Sequence, residues 1–536
     1  MNALTGTGRL IRLMLRRDRW LLPLWVLIPC LVPPVFVAAF NGAYPTAQAR
    51  QEYVETSLHN TAFTVTYGPL HGSGLGELVS WRSGFVPVVV ALVSLLTVIR
   101  HTRAEEEAGR RELIGSTAVS RHAGMAAALI ATCAACLVLG VLSALVLIGQ
   151  GLPAAGSFAY GFEPVVAGWV FAAVGAVAAQ LGSGAGSARG VAVGVLGTAF
   201  LLRGVGDVSA LSGGGLGWLS WLSPIGWAHR LQPFGDTNWW IVALAACATA
   251  ALTAVAVALS ARRDLGNGLL AAGPGPAVAP PGLRSLLGLA WRLHRGSLIG
   301  RTAGFAVVGL GLGGVAESIG ELMNNGSPAA RELLARLGGP GTVVDQYLVG
   351  MMTMFAVIAA GYAIQASLLL RTEENSGRAE TLLAAPVDRL RWAGGHLVLA
   401  LLGPTLGLTA FGAACGLAHG LNTGDLGHDL PRVLVAALVR LPAVWLFTGL
   451  TFALFGLLPR LAPGAFVILL VSLLLGWLGE ELRLSRWVLD LSVFNHIPRF
   501  PGEEPAVPPL AVLTAMAAAL VLLGLYGLRR RDMSPG

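Results

Sequence analysis

The sequence predicts an all-α polytopic membrane protein, with about twelve transmembrane helices arranged as two pseudo-symmetric six-helix halves. Three observations carry that expectation. The chain has 536 residues, 55% hydrophobic and only 12% charged, with mean hydropathy +0.70, whereas soluble domains carry about 25% charged residues. Apolar runs long enough to cross a bilayer, which takes about 20 residues each, recur along its whole length. Finally, the charged segment RAEEEAGRRELIGSTAVSR (103–121) returns as RTEENSGRAETLLAAPVDR (371–389), at an offset of 268 with 8 of 19 positions identical. A charged, helix-compatible segment placed twice between apolar runs marks an internal duplication.

The apolar runs are 20–40, 84–100, 123–149, 165–182, 190–205 and 239–261, then 302–317, 346–370, 393–418, 434–457, 464–479 and 508–528. They divide the chain into a first six-span half (1–266), a linker (267–282) and a second six-span half (283–536). Arginine placement orients the spans. The chain has no lysine, and with both termini cytoplasmic 25 of the 36 arginines fall on inner flanks, as the positive-inside rule requires. The net charge of +8 then belongs to the inner face of a bacterial plasma membrane, and is no sign of a nucleic-acid partner.

Residues 6–19 set Leu10, Leu13 and Leu15 among five arginines. That is the pattern of a basic amphipathic helix at the interface, or of an ordinary positive-inside flank. Pro33 and Pro34 should kink or end the first span, because neither has an amide hydrogen for the helix ladder. Residues 41–83 form an outer loop without a catalytic set. The stretch 204–240 holds Trp218, Trp221, Trp227, Trp239 and Trp240. With 487–502 in the second half, it reads as short interfacial or re-entrant helices on the outer side. Arg262-Arg263-Asp264 recurs as Arg530-Arg531-Asp532 at the same offset of 268. The Pro/Gly/Ala stretch 267–282 is a flexible linker, and 283–300 is a second basic amphipathic stretch.

Within the repeat, a continuous helix pairs Glu106 with Arg110 and Glu374 with Arg378, four apart with the acid first. It also puts Glu105, Gly109 and Glu112 on one face, as it does Glu373, Gly377 and Glu380. Ser120 and Asp388 suit N-caps of the spans that follow. Two carboxylates flanking a glycine offer a docking surface, the bland alternative being a solvated, salt-bridged loop. The five cysteines sit in apolar runs, the ten histidines show no metal-ligand spacing, and no catalytic residues emerge. Leu211-Ser212-Gly213-Gly214 imitates an ATPase signature but lies among apolar residues, and without lysine no P-loop exists. Arg440, inside a span, is either functional or snorkels to the outer interface. Glu317 and Glu321 mark an outer-loop boundary.

At these residues the sequence resembles the type-2 ABC exporter permeases, in the fused two-half form of actinobacterial polyketide-antibiotic (tetronasin-type) exporters. The resemblance covers the whole chain: EE-x-x-GR-x-E and V-x-R in both halves, the RRD tails and the outer LSPIGW segment. It implies that the segment after the second span of each half is a cytoplasmic coupling helix. Glu105, Glu106, Gly109, Arg110 and Glu112 would form one, and Glu373, Glu374, Gly377, Arg378 and Glu380 the other. It also implies an amphipathic interfacial connecting helix at 6–19 and a chain that holds no cofactor. Two copies of a separate ATPase would bind ATP and magnesium and drive export of small amphipathic compounds, such as polyketide antibiotics or other drugs. The halves differ at Glu107/Asn375 and Ala118/Pro386, so the two docking contacts need not be equivalent. The competing expectations are a proton-coupled secondary transporter, which needs carboxylates at mid-membrane, and a non-transporting membrane sensor.

Overall fold

The computed structural model describes residues 4–58, 61–115, 117–263, 268–269, 278, 282, 285–324, 341–478, 485–503 and 506–531. Every regular element among them is helical. They fall into two compact units, Met1–Pro274 and Gly275–Gly536. Among the described residues, twelve helices are long and apolar enough to cross a membrane, six in each unit.

The first unit runs α1 (Thr7–Arg17), α2 (Leu21–Cys30), α3 (Val32–Ala43), α4 (Ala47–Leu58), α5 (Thr61–Tyr67), α6 (Leu75–Arg82) and α7 (Val86–His101). It continues through α8 (Arg103–Glu107), α9 (Arg110–Gly115), α10 (Ala123–Gly149), α11 (Ala154–Leu181), α12 (Ala185–Leu211), α13 (Pro224–His229) and α14 (Trp240–Ala261). Helix α11 is the most buried span, packed against α7, α10 and α14. Its sequence allows this through small residues: a Cβ on Gly161 would stand 2.1 Å from the Gly140 carbonyl oxygen of α10. With no water to expel between spans, such close backbone approach supplies the packing energy. Leu24, Leu27 and Ile28 of α2 and Val138, Val141 and Leu145 of α10 stay exposed, as a lipid-facing surface should. The first span breaks at Leu31, and α3 takes Pro33 into its first turn, where a missing amide hydrogen costs nothing.

The second unit runs α15 (Leu286–Asn324), α16 (Val343–Ser367), α17 (Leu369–Asn375), α18 (Arg378–Leu383) and α19 (Arg389–Thr423). It ends with α20 (Leu426–Leu438), α21 (Leu441–Leu457), α22 (Ala465–Leu478), α23 (Arg486–Leu489) and α24 (Val507–Arg530).

Several expectations are corrected. The basic stretch 283–300 is not a separate surface helix: from Leu286 it runs unbroken into the seventh span as α15. In the first unit the chain breaks at Asp18, whose carboxylate lies 2.8 Å from Arg100 and 2.6 Å from His101; α15 has no such interruption. The fourth span starts earlier than composition indicates, so Glu163 lies inside it. Residues 204–211 complete the fifth span. The short helices that follow are Gly217–Leu222 with α13, and α23 with Val493–His496 in the second unit. Ser120 does not cap α10: His122 holds that position without a side-chain hydrogen bond, and Asp388 precedes α19 likewise without one. Asp264, Asp532 and the side chains of Glu317 and Glu321 lie outside the described residues.

Candidate functional site: two charged elbows

Each repeated segment is an elbow of two short helices rather than one continuous helix. Helix α8 ends at Glu107 and α9 begins at Arg110, with Gly109 between them at φ +71°. In the second unit α17 and α18 meet at Gly377, with φ +70°. A left-handed turn of this kind strains any residue with a Cβ, so glycine ends the first helix cheaply. The turn overturns the expected pairing by one residue register. Arg110 bonds Glu105, its Nε 2.7 Å and Nη2 3.0 Å from the carboxylate oxygens, and Arg378 donates to the Ser376 hydroxyl at 3.1 Å.

Glu106, freed from Arg110, turns inward. Its carboxylate accepts from Arg103 at 2.9 Å, Arg111 at 3.3 Å, and Arg263 at 2.8 and 2.7 Å. Only 4% of the side chain remains exposed. Glu374 does the same with Arg531, at 3.0 and 2.6 Å. Glu106/Glu374 and Arg263/Arg531 are both related by the offset of 268, so one clamp is built twice. Arg121 and Arg389 repeat a second contact. Arg121 donates to the backbone oxygens of Ser260 at 2.5 Å and Arg263 at 2.8 Å, and Arg389 to that of Arg531 at 2.9 Å. The arginine tails thus fasten the end of each unit's last span to its elbow.

Glu105 and Glu373 reach the first helix of their units by different means. Glu105 forms an ion pair with Arg17 of α1. Glu373 is buried and accepts from Trp392 Nε1 at 3.0 Å, and His396 Nε2 stands 3.3 Å from it. The second nitrogen of His396, Nδ1, stands 3.2 Å from Nε2 of His294 in α15. Glu107, which has Asn375 as its counterpart, accepts from the Ala185 amide at 2.9 Å and so caps α12 with a negative charge. Arg103 donates to the Ser183 oxygen at 2.5 Å. Burial draws the Arg111 guanidinium below its ordinary pKa, and Glu106 partly offsets that shift.

The ten residues singled out in the sequence therefore separate into three groups. Glu106, Glu374 and Glu373 are internal anchors, Gly109 and Gly377 are the turns, and Arg110, Glu112, Arg378 and Glu380 stay exposed at the tip. Glu105 bridges anchor and tip. Sequence reading missed Arg17, Arg111, His294, Trp392 and His396, none of which repeats at the offset; the recurring glutamates and arginine tails were the visible trace of the clamp. Among the described residues no group of three or more His, Cys, Asp or Glu side chains is placed to hold a metal ion. Mechanically, the elbow joins the ends of α1, α7, α10, α12 and α14 through one charged knot. A force on its exposed tip would reach four spans and α1 together.

A polytopic helical protein whose halves repeat such a knot has the build of a membrane permease. The comparisons name the family. The model of the C-terminal domain of the multidrug efflux system permease Rv1217c matches residues 283–529. The multidrug efflux system permease protein Rv1217c of Mycobacterium tuberculosis (strain ATCC 25618 / H37Rv) is 42% identical over 533 residues, covering 99% of this chain and 96% of that one. This chain belongs to that family of efflux permeases.

Proposed function

We propose that this chain is the membrane permease of an ATP-driven, ABC-type exporter of amphipathic compounds, polyketide antibiotics or other drugs among them. Two copies of a separate ATPase subunit dock on the two elbows, bind ATP with magnesium, and hydrolyse it. Both termini and both elbows face the cytoplasm. The observation that carries this reading is the pairing of a rigid internal clamp with an exposed charged tip, built twice from residues at one offset. Buried clamps hold shape, while Arg110 with Glu112 and Arg378 with Glu380 are exposed at the tip, where a partner can meet them. The multidrug efflux role carried by the relative's name supports the substrate range.

The test is reconstitution. The chain alone should show no ATP hydrolysis, and with its ATPase partner it should give hydrolysis stimulated by exported drug. Transport by the chain alone, driven by a proton gradient, would overturn the proposal. One observation favours that second reading: Glu163, inside a span and 4% exposed, has Ser80 at 3.1 Å as its one hydrogen-bond partner among the described residues. In that case Glu163→Gln would abolish gradient-driven transport, whereas ATP-driven export has no need of this carboxylate as a proton carrier.

A further inference from the structure

Arg440 occupies the short break between α20 and α21, within one long span, and is 1% exposed. Its guanidinium donates from Nη2 to the Val349 oxygen at 3.1 Å, from Nε to the Thr353 hydroxyl at 3.3 Å, and from Nη1 to the Ala436 oxygen. All three acceptors are neutral. Of the five N–H groups an arginine carries, one on each Nη is left over. The other deeply buried arginines have acids beside them. Arg103 and Arg263 hold Glu106, and Arg203 stands 3.9 Å from Asp207. Arg440 forms no ion pair with any described carboxylate. A buried cation in a membrane span is costly unless an anion or a dense shell of dipoles compensates it.

The same arginine lines a cavity of about 410 Å³, all of whose walls belong to the second unit. Met354, Val357, Ile358 and Leu473 give it apolar walls, and Arg499 adds a second positive charge to the lining. Among the described residues, no acidic side chain lines it. Met354 and Ile358 are themselves about half exposed, so that apolar wall is open to a chain lying alongside the span. The volume is in the range of small-molecule sites, roughly 300–1,000 Å³.

We propose that this cavity binds an amphipathic anion. A carboxylate or phosphate head takes the two unused N–H groups of Arg440 as a fork, the geometry in which guanidinium recognises such oxygens best. The apolar body lies along Met354, Val357 and Ile358. The anion's source is either an exported compound or a lipid of the surrounding bilayer. The site deepens the export reading by giving the compound a charge sign. The test below requires neither ATP nor an ATPase, so either proposal can fail without the other.

The experiment uses the full chain in phosphatidylcholine nanodiscs, with dansyl-aminoundecanoate as fluorescent probe and empty nanodiscs as the partition control. Saturable binding is expected, displaced by dodecanoate at concentrations about ten- to hundredfold below those needed for dodecanol, the usual worth of hydrogen bonds to a charged group. Arg440→Gln should weaken the probe by a similar factor at an unchanged unfolding midpoint, and Arg440→Lys should restore part of the binding. Leu473→Trp, which fills the cavity and keeps the arginine, should also lose the probe. Stronger displacement by dioctanoyl-phosphatidylglycerol than by dodecanoate assigns the site to a lipid headgroup. The reverse order assigns it to a free amphipathic anion. Equal displacement by dodecanol and dodecanoate, or wild-type binding in both Arg440→Gln and Leu473→Trp, overturns the proposal.

Discussion

Glu106 is the most heavily engaged carboxylate of the first elbow, with three arginines on it and almost no solvent. Removing its charge strands Arg103, Arg111 and Arg263 together, and breaking a buried ion pair costs about 3–5 kcal/mol. Glu106→Gln should therefore lower the unfolding midpoint of the purified chain sharply. Glu374→Gln, which strands Arg531 alone, should lower it less, and chemical denaturation of the two variants side by side checks the order. The repeat at the offset of 268 made both glutamates visible in the sequence. Their inward direction was not visible, because a helical wheel assumes continuity and one glycine at positive φ breaks it. A second residue acts on pH. His229, outside the spans in α13, donates from Nε2 to the Gly84 oxygen at 2.9 Å, and burial, with Arg203 beside it, brings its pKa from 6.5 down to about 3. The folded chain holds this imidazole neutral while the unfolded chain protonates it below 6.5. Stability should thus be lost as pH falls from 6.5 towards 3. A His229→Asn variant, with no group titrating there, should show a flatter profile in the same melts.

At the scale of elements, the spans were legible because twenty apolar residues have few alternatives, and the arginine tails because they recur. Boundaries were less legible. Residues 283–300 carry the composition of a surface helix, yet nothing between Leu286 and Asn324 interrupts the backbone ladder, so helix propagation wins. Helix α1 stops where Asp18 engages Arg100 and His101, a tertiary contact that no local pattern contains. The elbows depend on their turns in a way that can be measured. A Cβ at Gly109 or Gly377 would meet nothing within 4 Å, so substitution there is a matter of backbone conformation alone. Gly109→Ala and Gly377→Ala should each destabilise by about 1–2 kcal/mol, and Gly→Asn by less, since asparagine tolerates this region. An equal cost for alanine and asparagine in denaturant titrations would show that the turn is not the source of the effect.

At the scale of the whole molecule, duplication supplies two elbows, and the family assignment makes the chain an efflux permease. In the proposed mechanism the elbow tips receive force from a partner. Charge reversal at Glu105 or Glu373 would confuse that question, because both tie an elbow to the first helix of its unit. Glu112 and Glu380 avoid it: both are exposed at the tip, where a surface charge is worth about 0–1 kcal/mol to folding. The decisive measurement is therefore drug-stimulated ATP hydrolysis by the reconstituted complex carrying Glu112→Arg and Glu380→Arg together. Docking through the tips predicts normal insertion and an unchanged unfolding midpoint, with drug stimulation abolished. Full stimulation at normal expression would contradict it, and would mark the repeated tips as solvated loops.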